Sequence, residues 1–168
     1  MRKCGLLLWV LFALVLSGCA DLGPKRFEVY ALAKGLSPQQ VLILGPGKVE
    51  KGPLVFSEDD IVLYKRQSHE IGLTEAGAKR IDQVDMLTTG RGFVVCVGGE
   101  PIYTGAFWLA ISSQTYEGVV IELPMMGRRF VQLKLGFPTP ADFSGADPRS
   151  DPRIMETLQQ AGKLYDVD

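Results

Sequence analysis

The distribution of apolar and polar residues divides the chain into an apolar N-terminal segment and a longer region of short apolar stretches. Residues 6–16 form an uninterrupted apolar run behind Arg2 and Lys3. Further along, the apolar stretches are short and are bounded by glycine, proline and charged residues, which is typical of β-strands. The pattern therefore predicts a strand-rich domain that follows a separate N-terminal segment.

The clearest helix signal begins at Thr74. Its side chain can cap free main-chain amides, and Glu75 favours the positive end of the helix dipole. The apolar stripe consists of Ala78, Ile81, Val84 and Leu87. Because residues three apart lie on one side of a helix, this spacing predicts an amphipathic helix over residues 74–87.

Short strands are predicted on both sides of this helix. Before it, residues 27–33 predict a strand or a short helix, and residues 60–64 and 70–73 predict two strands. After it, the predicted strands are Arg91–Val97, 102–109, 118–123 and 129–135. The first of these is apolar on both faces, so we expect it at the centre of a sheet, whereas residues 129–135 alternate as in a half-buried antiparallel strand near an edge. Gly98-Gly99 predicts a tight hairpin turn.

The C-terminal region predicts one more helix behind a proline-rich loop. Asp151 can cap it, Pro152 suits its first turn and Gly162 marks its end. Together these elements predict an α+β fold with a mainly antiparallel sheet of about four to six strands, the typical size. We expect the helix over residues 74–87 on one face of the sheet and a loosely packed C-terminal helix.

The N-terminal segment ends in Leu16-Ser17-Gly18-Cys19, which resembles a bacterial lipobox. A basic start, a short apolar core and small residues before the cleavage point are the layout of a secretory signal. As a helix, the apolar core from Gly5 to Gly18 would rise roughly 21 Å, less than the ~30 Å hydrocarbon thickness, which disfavours a permanent span. An ordinary cleaved signal is the other alternative. The resemblance implies cleavage between Gly18 and Cys19 and acylation of Cys19.

The lipobox resemblance also implies a location. The residue after the cysteine is Ala20, whereas Asp at this position is associated with retention in the inner membrane. We therefore expect anchoring by lipid on the periplasmic face of the outer membrane. The predicted organisation is a signal peptide at 1–18, a lipidated tether at 19–35, an α+β domain at 36–136, and a proline-rich loop with a helix at 137–168.

Composition limits the chemistry of the mature chain. Without the signal, about 150 residues remain, enough for one domain, with a net charge of about −3 and no basic stripe, so we expect no nucleic-acid partner. With Cys4 in the signal and Cys19 acylated, Cys96 stands alone and cannot form an intramolecular disulfide. Its apolar neighbours predict a buried, inert thiol with a raised pKa.

The sequence predicts no catalytic residues, no metal site and no cofactor. His69 is the one histidine of the sequence, which excludes a metal cluster of several histidines within one chain. Ser68 adjoins it in an extended stretch, where neighbouring side chains point to opposite faces. We interpret the acidic residues 58–60 as a solvated loop. A role as an enzyme is therefore not expected.

Four residues form a candidate protein-interaction surface. These are Glu100, Tyr103, Trp108 and Tyr116, which fall within the predicted hairpin and the segment that follows it. If Tyr103 and Trp108 lie on opposite faces of one strand, one of them should be more exposed. The alternative is that the aromatic residues belong to the core. A small-ligand site would need an apolar pocket under residues 98–117.

Residues 58–123 resemble the head subdomain in the first large periplasmic region of the protein-export subunit SecD. The likeness rests on a strand, a helix start at Leu73-Thr74-Glu75-Ala76-Gly77-Ala78, an apolar strand, the Gly98-Gly99 hairpin, and a strand that ends in Val119-Val120-Ile121. The resemblance implies a mobile, non-enzymatic module that contacts translocating polypeptide. We do not expect this chain to have the membrane helices that couple SecD to the proton gradient, so we do not expect it to act as a motor.

Taken together, the sequence predicts a membrane-anchored, non-catalytic interaction module of the cell envelope, related to protein export. The alternatives are a structural or assembly accessory of an envelope complex and a small-ligand-binding lipoprotein.

Overall fold

A computed structural model describes residues 25–33, 35–86, 89–123 and 129–166. Across these residues, nine strands form one sheet and three α-helices accompany it, so the α+β class is confirmed. The strands are β1 (Phe27–Leu32), β2 (Lys51–Ser57), β3 (Ile61–Lys65), β4 (Glu70–Leu73), β5 (Arg91–Val97), β6 (Glu100–Trp108), β7 (Tyr116–Glu122), β8 (Phe130–Phe137) and β9 (Leu164–Tyr165). The helices are α1 (Pro38–Leu44), α2 (Glu75–Asp82) and α3 (Pro152–Gln160). The predicted cleavage and lipidation site at Gly18 and Cys19 lies outside the described residues.

The strands follow the order β2-β1-β5-β6-β7-β8-β4-β3-β9 across the sheet. Neighbouring strands are antiparallel except for β6 with β7 and β3 with β9, which are parallel. The prediction of a mainly antiparallel sheet is confirmed, although the sheet has more strands than expected. The hairpin at Gly98-Gly99 is confirmed too, and both glycines have the positive φ that such a turn requires, 57° and 79°.

The sheet is strongly curled, as the link between β2 and β3 requires. In a flat sheet these strands would lie about 34 Å apart, at ~4.8 Å per strand. They are joined only by the short 3₁₀ turn Glu58–Asp60, and the chain from Ser57 to Ile61 spans at most roughly 15 Å. The sheet therefore brings its two ends towards each other, and one of its faces encloses the main core.

Both faces of the central strands are covered. The main core takes side chains from every strand from β1 to β8 and from helices α2 and α3. On the other face of β1 and β5, Val41 of α1 packs with Leu32, Val94 and Cys96. This double cover explains why β5 is apolar at successive positions, as its predicted central place requires.

Helix α2 begins where predicted but is shorter. Thr74 Oγ1 accepts a hydrogen bond from the Gly77 amide at 3.2 Å, which confirms the cap. The helix ends at Asp82, because the amides of Gln83 and Val84 bond to carbonyls three residues back, which tightens the last turn. Val84 packs against the core beyond the helix, and Leu87 lies outside the described residues.

Three other predictions are corrected by the structure. The predicted lipidated tether over residues 19–35 is too long, because its residues 27–32 form β1, which lies inside the sheet between β2 and β5. Strand β8 is not near an edge but pairs with β7 and β4. Helix α3 is capped by Asp151 as predicted, yet its packing is not loose, since Ile154, Met155 and Leu158 are buried in the main core.

Candidate functional site

The predicted aromatic surface is not exposed. Tyr103, Trp108 and Tyr116 are all buried, so the alternative that they belong to the core is correct. Trp108 stacks on Tyr116 with ring centroids 5.3 Å apart, while Tyr103 meets Phe93 edge-on on the opposite face of β6. The expectation that one of them must be exposed is wrong because both faces of β6 are covered by other side chains.

Glu100 is the member of the predicted surface that does reach solvent. Its carboxylate forms an ion pair with Arg153 at 2.8 Å, and Arg153 also bonds to Asp151 at the start of α3. Glu100 thus connects the turn of the β5–β6 hairpin to the first turn of α3. Beneath the hairpin the described aromatic side chains are buried, and a cavity of about 320 Å³ is lined instead by the loop after β6, at Leu109 and residues 111–114.

His69 is buried and paired with Tyr64. The Tyr64 hydroxyl lies 2.9 Å from His69 Nδ1, and both side chains are almost inaccessible to solvent. Burial lowers the pKa of His69 first of all, and the nearby Arg149 guanidinium lowers it further. Burial also raises the pKa of Tyr64. The pair is therefore a neutral hydrogen bond inside the protein, closed off from any substrate in solution.

Arg149 is held next to this pair by a bidentate contact. Its Nε and Nη2 atoms donate to the two carboxylate oxygens of Asp147 at 2.9 and 2.8 Å, and Nη1 donates to the Leu133 carbonyl at 2.7 Å. The hydrogen bond from Arg149 lowers the pKa of Asp147. The contact attaches the loop before α3 to strand β8 and keeps a positive charge near His69.

The other groups to consider are the Cys96 thiol and side chains that could hold a metal ion. Cys96 is a free, fully buried thiol whose pKa is raised by burial, which confirms the prediction for this residue. The part of the chain that the structure describes brings no three His, Cys, Asp or Glu side chains together in a way that could hold a metal ion.

A cleft that the sequence did not reveal lies between β2 and the loop after α2. Its volume is about 420 Å³, and the Arg80 and Arg91 side chains lie in its wall. Arg80 bonds to the Asp60 carboxylate and to the Val55 carbonyl. Arg91 bonds to the carbonyls of Leu32 and Asp85 at 3.0 and 3.4 Å. The sequence pattern does not indicate this cleft, because its wall combines residues of β1, β2, α2, the loop after α2, and β5.

Among the described residues, four large apolar side chains outside this cleft are more than half exposed: Ile43, Val62, Ile111 and Phe130. Ile111, in the loop after β6, is 90% exposed, and Phe130, the first residue of β8, is 54% exposed. Neither Ile111 nor Phe130 belongs to the predicted interaction surface. Ile111 lies in a loop with turn-forming serines, so the sequence could have indicated that its side chain is exposed.

No protein-family model, curated protein or solved structure matches this chain. Among the helices of the described residues, none combines the length and the apolar character needed to cross a membrane.

Proposed function

We propose that this chain is a lipid-anchored protein of the bacterial cell envelope whose domain binds a protein partner and performs no catalysis. The observation that carries the proposal is Leu16-Ser17-Gly18-Cys19 at the end of a basic and then apolar segment. The only histidine of the sequence supports the absence of catalysis, because it is buried in a neutral bond to Tyr64.

A lipid on Cys19 would orient the domain. The chain from Cys19 to Phe27, where β1 starts, spans at most roughly 28 Å. The start of β1 lies beside the β5–β6 hairpin, since the Gly98 amide donates to the Arg26 carbonyl at 2.8 Å. The hairpin end of the sheet would therefore lie close to the membrane, and the opposite end would point away from it.

Two of the exposed apolar side chains, those of Ile111 and Phe130, lie at that opposite end. Strand β6 has nine residues and carries the chain roughly 26 Å from the hairpin to the loop of Ile111. Phe130 lies nearby in the sheet order, because β8 starts where β7 ends, with Leu133 opposite Ile121. Contiguous apolar groups on a polar surface are typical of protein contacts, whereas single ones are ordinary, so a contact here has to include both side chains. We propose Ile111 and Phe130 as parts of the contact surface.

The resemblance to the SecD head supports translocating polypeptide as the partner. Residues 58–123 contain β3, β4, α2, β5, β6 and β7 in the expected order. In the sheet, however, β8 lies between β7 and β4, so this region is not a separate unit. The proposed role in export therefore rests on the order of elements. A structural accessory of an envelope complex remains the second proposal.

The anchor is tested by the change Cys19→Ser. We expect the wild-type protein in the membrane fraction with acyl groups on Cys19, and the variant in the soluble periplasmic fraction, because the lipid would be its attachment. Cell fractionation and mass spectrometry of the N-terminal peptide measure both results. Cys4→Ser is the matched control and should remain lipidated. Soluble, unmodified wild-type protein would contradict the proposed anchor.

The contact surface is tested by photo-crosslinking in cells. A photoreactive residue at position 111 or 130 should form adducts with the partner, while the same residue at Gln159, an exposed position on α3, should not. Mass spectrometry of the adducts identifies the partner. Sec components or exported chains would support the export role, and a stable outer-membrane complex would support the accessory role. The absence of adducts at both test positions would count against the interaction module.

A further inference from the structure

The cleft between β2 and the loop after α2 has the size of a ligand site. Its volume of about 420 Å³ lies within the ~300–1,000 Å³ of typical small-molecule sites. Its apolar wall consists of Ala31, Pro53, Leu54, Val55 and Val84. Leu54 is 40% exposed, so the cleft opens to solvent at the edge strand β2. A ligand with an apolar chain could enter along this strand.

Arg91 provides a charged group inside this mostly apolar cleft. Its side chain is only 13% exposed and is fixed by the carbonyls of Leu32 and Asp85. These two hydrogen bonds use two of the five guanidinium donors. The nearest Asp85 carboxylate oxygen is 3.9 Å away, and that side chain is 61% exposed, so solvent weakens its attraction. The guanidinium is thus rigidly placed, and within the described part of the chain its other three donors have no hydrogen-bond partner.

Arg80, the other arginine of the cleft, is bound differently. It forms an ion pair with Asp60, whose side chain is almost fully buried, and it donates to the Val55 carbonyl at 3.2 Å. The structural role of this arginine is to connect α2 to β2 and to the turn before β3. Arg91 is therefore the residue of the cleft that is best placed to receive an anionic group.

We propose that this cleft binds a small monocarboxylate with an apolar chain. The carboxylate pairs with Arg91, whose planar guanidinium suits two parallel hydrogen bonds, and the chain lies against Leu54, Val55 and Val84. A second cavity of about 100 Å³, which includes Leu36, shares Arg91 and Asp85 in its wall. This site does not depend on the lipid anchor or on the proposed contact surface.

Octanoate is a suitable probe, and octanol has the same chain without the charge. The experiment uses the full chain with Cys19→Ser, purified without detergent, and follows binding by calorimetry and by amide chemical shifts. We expect saturable binding of one octanoate, and binding of octanol that is weaker by about tenfold or more, which corresponds to the loss of one charge-assisted pair. Equal binding of both probes, or no saturation with octanoate, would overturn the proposal.

Two changes at the exposed Leu54 test the charge without disturbing Arg91. Leu54→Asn and Leu54→Asp remove the same apolar contact, but only Leu54→Asp places a negative charge in the cleft, so it should bind octanoate about tenfold or more weakly than Leu54→Asn. Because Leu54 is 40% exposed, both replacements should be tolerated at this position, and thermal unfolding of the two variants should be comparable. If both variants bound octanoate equally, the proposed role of Arg91 would be wrong.

Discussion

Among single residues, His69 is one whose protonation is coupled to folding. Its backbone has the left-handed φ of 52°, its ring is buried, and its Nδ1 atom forms a hydrogen bond with the Tyr64 hydroxyl at 2.9 Å. The groups near the ring are Arg149 and Asp147 from the loop before α3, and the net effect of burial and charge is a lowered pKa. A proton on His69 would thus be placed in a buried site next to a guanidinium.

We therefore predict that stability decreases below the ordinary pKa of histidine. Since the pKa of His69 is lower in the folded state, the unfolded chain binds more protons, and stability rises with pH up to about 6.5 and then levels off. Urea unfolding at pH 7.5 and 5.5 should show a loss at the lower pH. His69→Asn, which tolerates a positive φ and does not titrate, should show a smaller loss. Equal losses in both proteins would exclude His69 as the cause.

Among the elements, those with strong local signals could be predicted from the sequence. The cap at Thr74, the hairpin at Gly98-Gly99 and the start of α3 depend on residues that are close in the chain, and all three are present. Strand β2 was missed because Gly52-Pro53 interrupts its apolar pattern. The end of α2 was misplaced because Val84 continues the apolar stripe beyond the last helical turn.

Helix α3 is expected to unfold together with the sheet. Leu158 is fully buried in the main core, so Leu158→Ala should lower the free energy of unfolding by about 2–5 kcal/mol in one cooperative transition. The neighbouring Gln159 is exposed, and Gln159→Ala should change stability by less than about 0.5 kcal/mol. Chemical denaturation followed by circular dichroism measures both. A separate early transition in the wild-type protein would indicate that α3 is only loosely attached.

At the scale of the whole molecule, pairings between distant residues could not be predicted from the pattern. Strand β1 pairs with β5, and β8 lies between β7 and β4. The residues of these strands do not indicate which strand each one pairs with. For the same reason the sequence left open whether Trp108 is buried, and it did not indicate the cleft at Arg91. The burial of Trp108 and the shape of the cleft both depend on which elements cover each face of the sheet, and this depends on how the sheet curls.

The pairing of β3 with β9 has a consequence for the order in which the protein forms. Arg66 and Asp166, which are 100 residues apart, meet at this edge, and the Tyr64 amide bonds to the Lys163 carbonyl. Such distant contacts slow folding, because a long loop must close before they form. In the secretion that we propose, the N-terminus crosses first, so the chain would have to cross the membrane as far as Asp166 before this edge could be completed. A stalled chain that had not yet exported β9 would therefore leave β3 without its partner at this edge.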